Sequence, residues 1–237
     1  MPNPSVQPSL AALTNKVKGS LILSQEASAF YQKRRGKIQR IAQSKVYLIT
    51  ELAFLQLFLA WEDFLEETFI RYMCGGKTES GYSPRLRLEA QNMNHALELL
   101  KGSRQYVDWV ESREIQNRAR IFFEEGGPYQ SAIDGAITEL NHLKIIRNRI
   151  AHRSKSAEHQ FDELTRQQLL GYRPKGLTPG LLLRIKLPPP KAREIKPKIQ
   201  EVKKMLDTMG FKKRRGTPTF LDEYGSLIFS LGQMIVP

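Results

Sequence analysis

The run Arg147-Asn148-Arg149-Ile150-Ala151-His152 gathers an arginine, an amide and a histidine at the end of a strongly helical stretch. Two uses are open for His152: proton transfer in catalysis, or capping of the helix C-terminus. Asn148 lies four residues before His152, so on a helix the two share a face about 40° apart. Arg149 is about 60° from His152, and Arg147 about 140° from it. Spacing alone therefore pairs His152 with Asn148 better than with Arg147.

Arg147 falls on the apolar stripe made by Ala136, Leu140, Leu143 and Ile150. A guanidinium there needs a carboxylate, or it lines a polar cleft. An earlier helical stretch offers the counter-charge. Its stripe runs through Leu55, Phe58, Leu65 and Phe69, and Glu62 sits on that stripe between Phe58 and Leu65. Glu51 is in phase as a weaker candidate. The alternative to a functional Arg147–Glu62 pair is a structural ion pair that sets helix register.

The elements that must position these residues are helices. Residues 46–73 carry no Gly or Pro and stop at Gly75-Gly76, which predicts the strongest helix of the chain. Residues 131–152 predict a second long helix that carries the Arg/Asn/His run. Helices are also expected over 88–101, 103–123, 158–170 and 191–209, with a basic amphipathic helix over 27–40 that starts near Ser24. Pro174, Pro179 and Pro188-Pro189-Pro190 bracket the apolar run 181–187, which reads as a strand or extended arm. The apolar end, 224–236, should pack back on the body. The expected organisation is a basic N-terminal helical extension over 1–40, a helical domain over 41–170, and a basic C-terminal section over 171–237. The fold class is mainly α, with a short irregular, part-β C-terminal section.

The 237 residues carry a net charge of +13 and are 41% hydrophobic, enough for a real core. The excess charge sits at the two ends. Residues 1–46 hold eight basic side chains and one acidic, and residues 166–237 hold fifteen basic and five acidic. Such a chain attracts polyanions: nucleic acid first, a membrane surface second. The densest patches are Lys33-Arg34-Arg35 and Lys212-Lys213-Arg214-Arg215, which either guide RNA through its backbone or form a solvated surface or a contact for an acidic protein. Cys74 is the one cysteine, which excludes an internal disulfide and a cysteine-based zinc cluster and suits the reducing cytoplasm. The first ten residues do not read as a signal peptide, and the apolar stretch 46–61 is too short and polar to span a bilayer. No metal-ligand spacing is evident, and no Gly-rich phosphate loop supports a nucleotide-binding role.

Arg147-Asn148-Arg149-Ile150-Ala151-His152 resembles the Arg-Asn-x-x-x-His motif of the HEPN superfamily, small all-α domains that include many RNases. Trp61-Glu62-Asp63 on the earlier helix fits that context, and so does Phe122-Phe123-Glu124-Glu125-Gly126-Gly127-Pro128 between the two. The resemblance covers roughly residues 40–170 and is to stand-alone bacterial members. It implies a HEPN-like antiparallel helical bundle and a metal-independent endoribonuclease without cofactor, in which the RNA 2′-hydroxyl attacks the adjacent phosphorus. His152 is then the general acid or base, Arg147 offsets phosphorane charge, and Asn148 orients His152 or the phosphate. Glu62 and Asp63 support them, and Arg149 and Arg153 bind flanking phosphates. It also implies a homodimer with a composite site, RNA as partner, and a toxin or antiviral-defence role, with an antitoxin or defence-system protein as a further partner. The alternative is a non-catalytic HEPN-like module that binds nucleic acid or a partner protein.

Overall fold

The computed structural model describes residues 4–32, 42–171, 174–187, 195–211 and 217–237. Among them are ten α-helices: α1 (Gln7–Gln32), α2 (Gln43–Met73), α3 (Met93–Lys101), α4 (Ser112–Phe122), α5 (Gly127–Asp134), α6 (Ile137–Ala151), α7 (Lys155–Gln168), α8 (Pro179–Arg184), α9 (Ile195–Thr208) and α10 (Phe220–Ile235). Pairing between extended segments is limited, among these residues, to isolated bridges. The chain is mainly helical, as its periodicity predicts. It divides into two compact units.

The first unit comprises Met1–Asn15, Leu59–Lys144 and Ser230–Pro237. Its core is aromatic. Phe69 packs against Tyr129 at 3.9 Å between ring centroids, and Phe123 stacks on Tyr129 at 5.6 Å. The turn between α4 and α5 creates this cluster. Glu125, Gly126 and Gly127 all take positive φ, at 53°, 76° and 53°, which reverses the chain over three residues. Gly127, at φ 53° and ψ −148°, holds a backbone conformation that favours glycine, and a Cβ there would also lie 3.2 Å from the Phe123 Cβ, a tight contact. Pro128 then opens α5, where its missing N–H costs nothing. The α10 end is tied in by Tyr72, whose hydroxyl donates to the Ile235 carbonyl at 2.8 Å.

The second unit comprises Lys16–Phe58 and Ile145–Phe229. Leu21, Phe54, Leu57, Phe161, Leu183, Leu206 and Ile228 are buried in it. Gly225 of α10 lies against the Leu21 side chain, and Phe54 meets the Tyr224 ring edge-on at 6.3 Å. The Ser24 and Thr50 hydroxyls share a hydrogen bond of 3.3 Å in the interior. One bridge, Lys186 to Thr219, joins the segments after α8 and before α10.

Several sequence expectations differ from these elements. The segment 181–187 read as a strand or arm is largely helix α8, capped by the Thr178 side chain on the Leu181 N–H. Ser24 does not start a helix; it lies inside α1, which begins at Gln7. The span 131–152 is not one helix. The Gly135 N–H still reaches the Ser131 carbonyl at 3.2 Å, but the ladder lapses just after it, where the Ala136 N–H reaches only to the Ile133 carbonyl at 3.0 Å. Glycine's low helix propensity makes that the weakest point of the run. The predicted helix over 103–123 is helical only from Ser112, and that over 88–101 only from Met93, where Asn92 caps it.

Candidate functional site

Helix α6 carries the Arg/Asn/His run on its last turns. Leu140, Leu143 and Ile146 are buried and anchor it, while Arg147, Asn148, Arg149 and Ile150 are half-buried. The helix ends at Ala151, and Ser154 caps the next helix by accepting from the Ala157 N–H at 3.2 Å. His152 and Arg153 therefore stand in a three-residue link between α6 and α7, and both are exposed.

Asn148 is the hub of the run. Its side-chain oxygen accepts from Arg147 Nη1 at 3.2 Å, and its carbonyl accepts from the His152 N–H at 2.8 Å. The first bond draws the guanidinium back along the helix. The second closes the final turn and fixes the point from which the imidazole leaves the backbone. An exposed histidine, an arginine and an amide are thus gathered within about one helical turn.

Spacing offers Glu51 as a weaker candidate partner for Arg147, and the charge it feels is that of Arg149. The Glu51 Oε1, on α2, also accepts from the Gly180 N–H at 2.8 Å. Burial pushes the Glu51 carboxyl above the usual carboxylate range, against the opposing pull of the Gly180 N–H and of Arg149. Gly180 is needed there: a Cβ would sit 2.4 Å from the Tyr47 carbonyl oxygen. Its signal in the sequence was the pair Pro179-Gly180, which reads as punctuation until α2 is seen beside it.

Glu62 and Asp63 lie on α2, half-buried and exposed respectively, and both make contacts. They belong to the first unit, whereas Arg147, Asn148 and His152 belong to the second. The basic patches Lys33-Arg34-Arg35 and Lys212-Lys213-Arg214-Arg215 lie outside the described residues. Tyr129, which follows the Gly-Gly-Pro break, is fully buried among Phe69, Phe123 and Tyr72 and is a core residue.

Two clefts open on the first unit. One, of about 440 Å³, lies by the starts of α4 and α6 and is lined by Glu111, Arg113, Thr138, Asn141 and Lys144. Lys144 is ion-paired with Glu111. The other, of about 570 Å³, is lined by Tyr82, Arg85, Glu124, Gln130 and Asp134. Neither is lined by Arg147, Asn148 or His152. Among the described residues, no group of three or more His, Cys, Asp or Glu side chains is placed to hold a metal ion, and no helix is long and apolar enough to cross a membrane. Comparison of the chain with protein-family models, with curated proteins and with solved structures finds no match.

Proposed function

We propose that this chain is a metal-independent endoribonuclease of the HEPN type. The observation that carries the reading is the grouping at the end of α6: Asn148 holds the Arg147 guanidinium through its side chain and the His152 backbone through its carbonyl, and the imidazole is exposed. The chemistry follows from those groups. A histidine removes the proton from the RNA 2′-hydroxyl as the oxygen attacks the adjacent phosphorus, or delivers one to the departing 5′-oxygen. The P–O5′ bond breaks, leaving a 2′,3′-cyclic phosphate and a 5′-hydroxyl. The Arg147 guanidinium offsets charge on the non-bridging oxygens. Arg149 and Arg153 hold flanking phosphates, and the basic ends of the chain draw RNA in through its backbone. The Arg/Asn/His run holds one histidine per copy, so a composite site from two copies supplies both proton-transfer partners. A toxin or defence effector, restrained by a partner protein, is the biological setting proposed for such an activity.

The test is the end chemistry of RNA incubated with purified protein. Wild type should yield cyclic phosphate and 5′-hydroxyl ends in the presence of chelator, and His152→Ala should yield neither while keeping its helical circular dichroism. Equal cleavage by both proteins sinks the assignment of His152. Cleavage lost to chelator points to a metal nuclease. RNA binding without cleavage by wild type leaves the non-catalytic binding module as the reading.

A further inference from the structure

The cleft of about 440 Å³ on the first unit is walled by two helix starts. Helix α6 lends it Ile137, Asn141 and Lys144, at spacings of four and three residues and so on one face, with Thr138 beside them. Leu140 and Leu143, further round that helix, are buried and anchor the wall. The other wall is Val110, Glu111 and the first residues of α4, Ser112 and Arg113, anchored by the buried Ile115 and Gln116 of the following turn. The Lys144 ammonium and the Glu111 carboxylate pair between the two walls. Glu111 does not cap α4 with its side chain, and the first N–H groups of that helix add fixed donors to the cleft. The side chains of Ser112, Arg113, Thr138 and Asn141 make no hydrogen bond or ion pair with other described residues. A guanidinium, two hydroxyls and an amide thus line one cleft with their hydrogen-bonding capacity unused by the protein.

We propose that this cleft binds a small phosphorylated polyol, a sugar monophosphate, with its phosphate on Arg113 and its hydroxyls across Ser112, Thr138 and Asn141. Cationic donors outnumber anions in the lining: Arg113 and Lys144 stand against the one carboxylate of Glu111. The guanidinium is a planar fork of N–H donors, which takes a phosphate through paired hydrogen bonds. The neutral side chains both donate and accept, as a hydroxyl requires of its partner. Val110 and Ile137 supply apolar surface for the C–H faces of the sugar. Glu111 can accept from a hydroxyl but repels a second anionic group, which limits the ligand to one phosphate. The lining residues include no aromatic ring, so a nucleobase finds nothing there to stack on. The site is independent of the ribonuclease reading, since neither its residues nor its test uses Arg147, Asn148 or His152.

The experiment is calorimetric titration of the full chain with ribose 5-phosphate and glucose 6-phosphate, beside the free sugars, inorganic phosphate, gluconate, AMP and glucose 1,6-bisphosphate. At least one sugar monophosphate should bind, and more tightly than its free sugar or inorganic phosphate. Arg113→Ala should weaken that binding roughly tenfold to a hundredfold, the scale of a hydrogen bond to a charged group. Asn141→Leu should weaken it too and narrow the margin over inorganic phosphate, which separates the hydroxyl contacts from the anion contact. Arg85→Ala, in the other cleft, should change nothing. Silence from both sugar monophosphates overturns the proposal, and so does binding that Arg113→Ala leaves intact. Equal binding of inorganic phosphate or of gluconate overturns it in favour of a bare anion site. AMP that binds more tightly than ribose 5-phosphate, or a bisphosphate that binds more tightly than the monophosphate, overturns the class of ligand. Arg113 is exposed on the first turn of α4 and its replacement should keep the helical circular dichroism signal. Should that variant fail to fold, a preference for sugar phosphate that Asn141→Leu leaves unchanged overturns the site.

Discussion

Arg147 and Asn148 are neighbours in the chain, yet their side-chain tips meet: Nη1 donates to Oδ1 at 3.2 Å. Successive side chains on a helix diverge by about 100°, so the guanidinium must fold back to make the bond. Asn148 thereby sets where a half-buried positive charge stands relative to His152.

Replacing Asn148 should uncouple that charge from the histidine. Asn148→Ala should lower the rate of RNA cleavage roughly tenfold to a hundredfold, less than the ~10²–10³ lost with a direct donor to a developing oxyanion, because Asn148 acts through Arg147. Its cost in stability should be about 1 kcal/mol or less, because the hydrogen bond is only partly buried. Initial rates and urea unfolding midpoints, measured on the same preparation, check both. A variant that cleaves at the wild-type rate removes Asn148 from the site.

Glu51 predicts a pH dependence of stability. Its carboxyl lies above the usual range in the folded chain, so the folded state holds that proton more tightly than the unfolded state does. The resulting stabilisation is fully present below the ordinary glutamate value of about 4.3 and is lost as pH rises through the raised value. Glu51→Gln, which keeps an oxygen for the Gly180 N–H, should therefore gain on wild type as pH rises across that interval and run parallel to it above. Unfolding free energies measured from about pH 4 to about pH 7 test this; a constant difference would falsify it.

Gly180 should tolerate no side chain. Its Cβ would stand 2.4 Å from the Tyr47 carbonyl oxygen and 2.9 Å from the Tyr47 Cα, both backbone atoms of α2. Gly180→Ala must push α8 away and stretch the bond to Glu51. The expected loss is about 1–3 kcal/mol, the usual scale for overpacking, read as a lower urea midpoint. The same substitution at Gly171, which meets nothing within 4 Å but has φ of 81°, is strained through its backbone alone and serves as a comparison.

Tyr129 holds the first unit's core through one polar bond. Its hydroxyl donates to Thr68 Oγ1 at 2.9 Å, and that oxygen donates onward to the Phe64 carbonyl at 2.8 Å. Burial keeps the phenol well above its usual titration range, so it remains a neutral donor. Tyr129→Phe should cost about 1 kcal/mol, seen as a lower thermal midpoint. RNA cleavage should be unchanged, because a fully buried ring has no access to a base.

The sequence alone determined the helical class, the position of the Arg/Asn/His run and the stop after Met73, because each rests on local order. Helical periodicity, a Gly-Gly pair and a six-residue motif need no knowledge of distant neighbours. It also located the charge, concentrated in the two ends. What it left undecided needed contacts between distant segments. The run 181–187 is apolar and short, and periodicity cannot tell helix from strand at that length; the Thr178 cap and the approach of Gly180 to Tyr47 decided it. Tyr129 is core because the turn through Gly126 and Gly127 lays it on Phe69. Glu51 is the carboxylate that feels Arg149 and also meets the Gly180 N–H, 129 positions away, and both are contacts between distant segments. The exposed leucines of α2, Leu48, Leu52 and Leu59, were in the sequence from the start, but helical spacing only says which residues share a face. Which face turns inward is decided by what packs against it, and that is a tertiary fact.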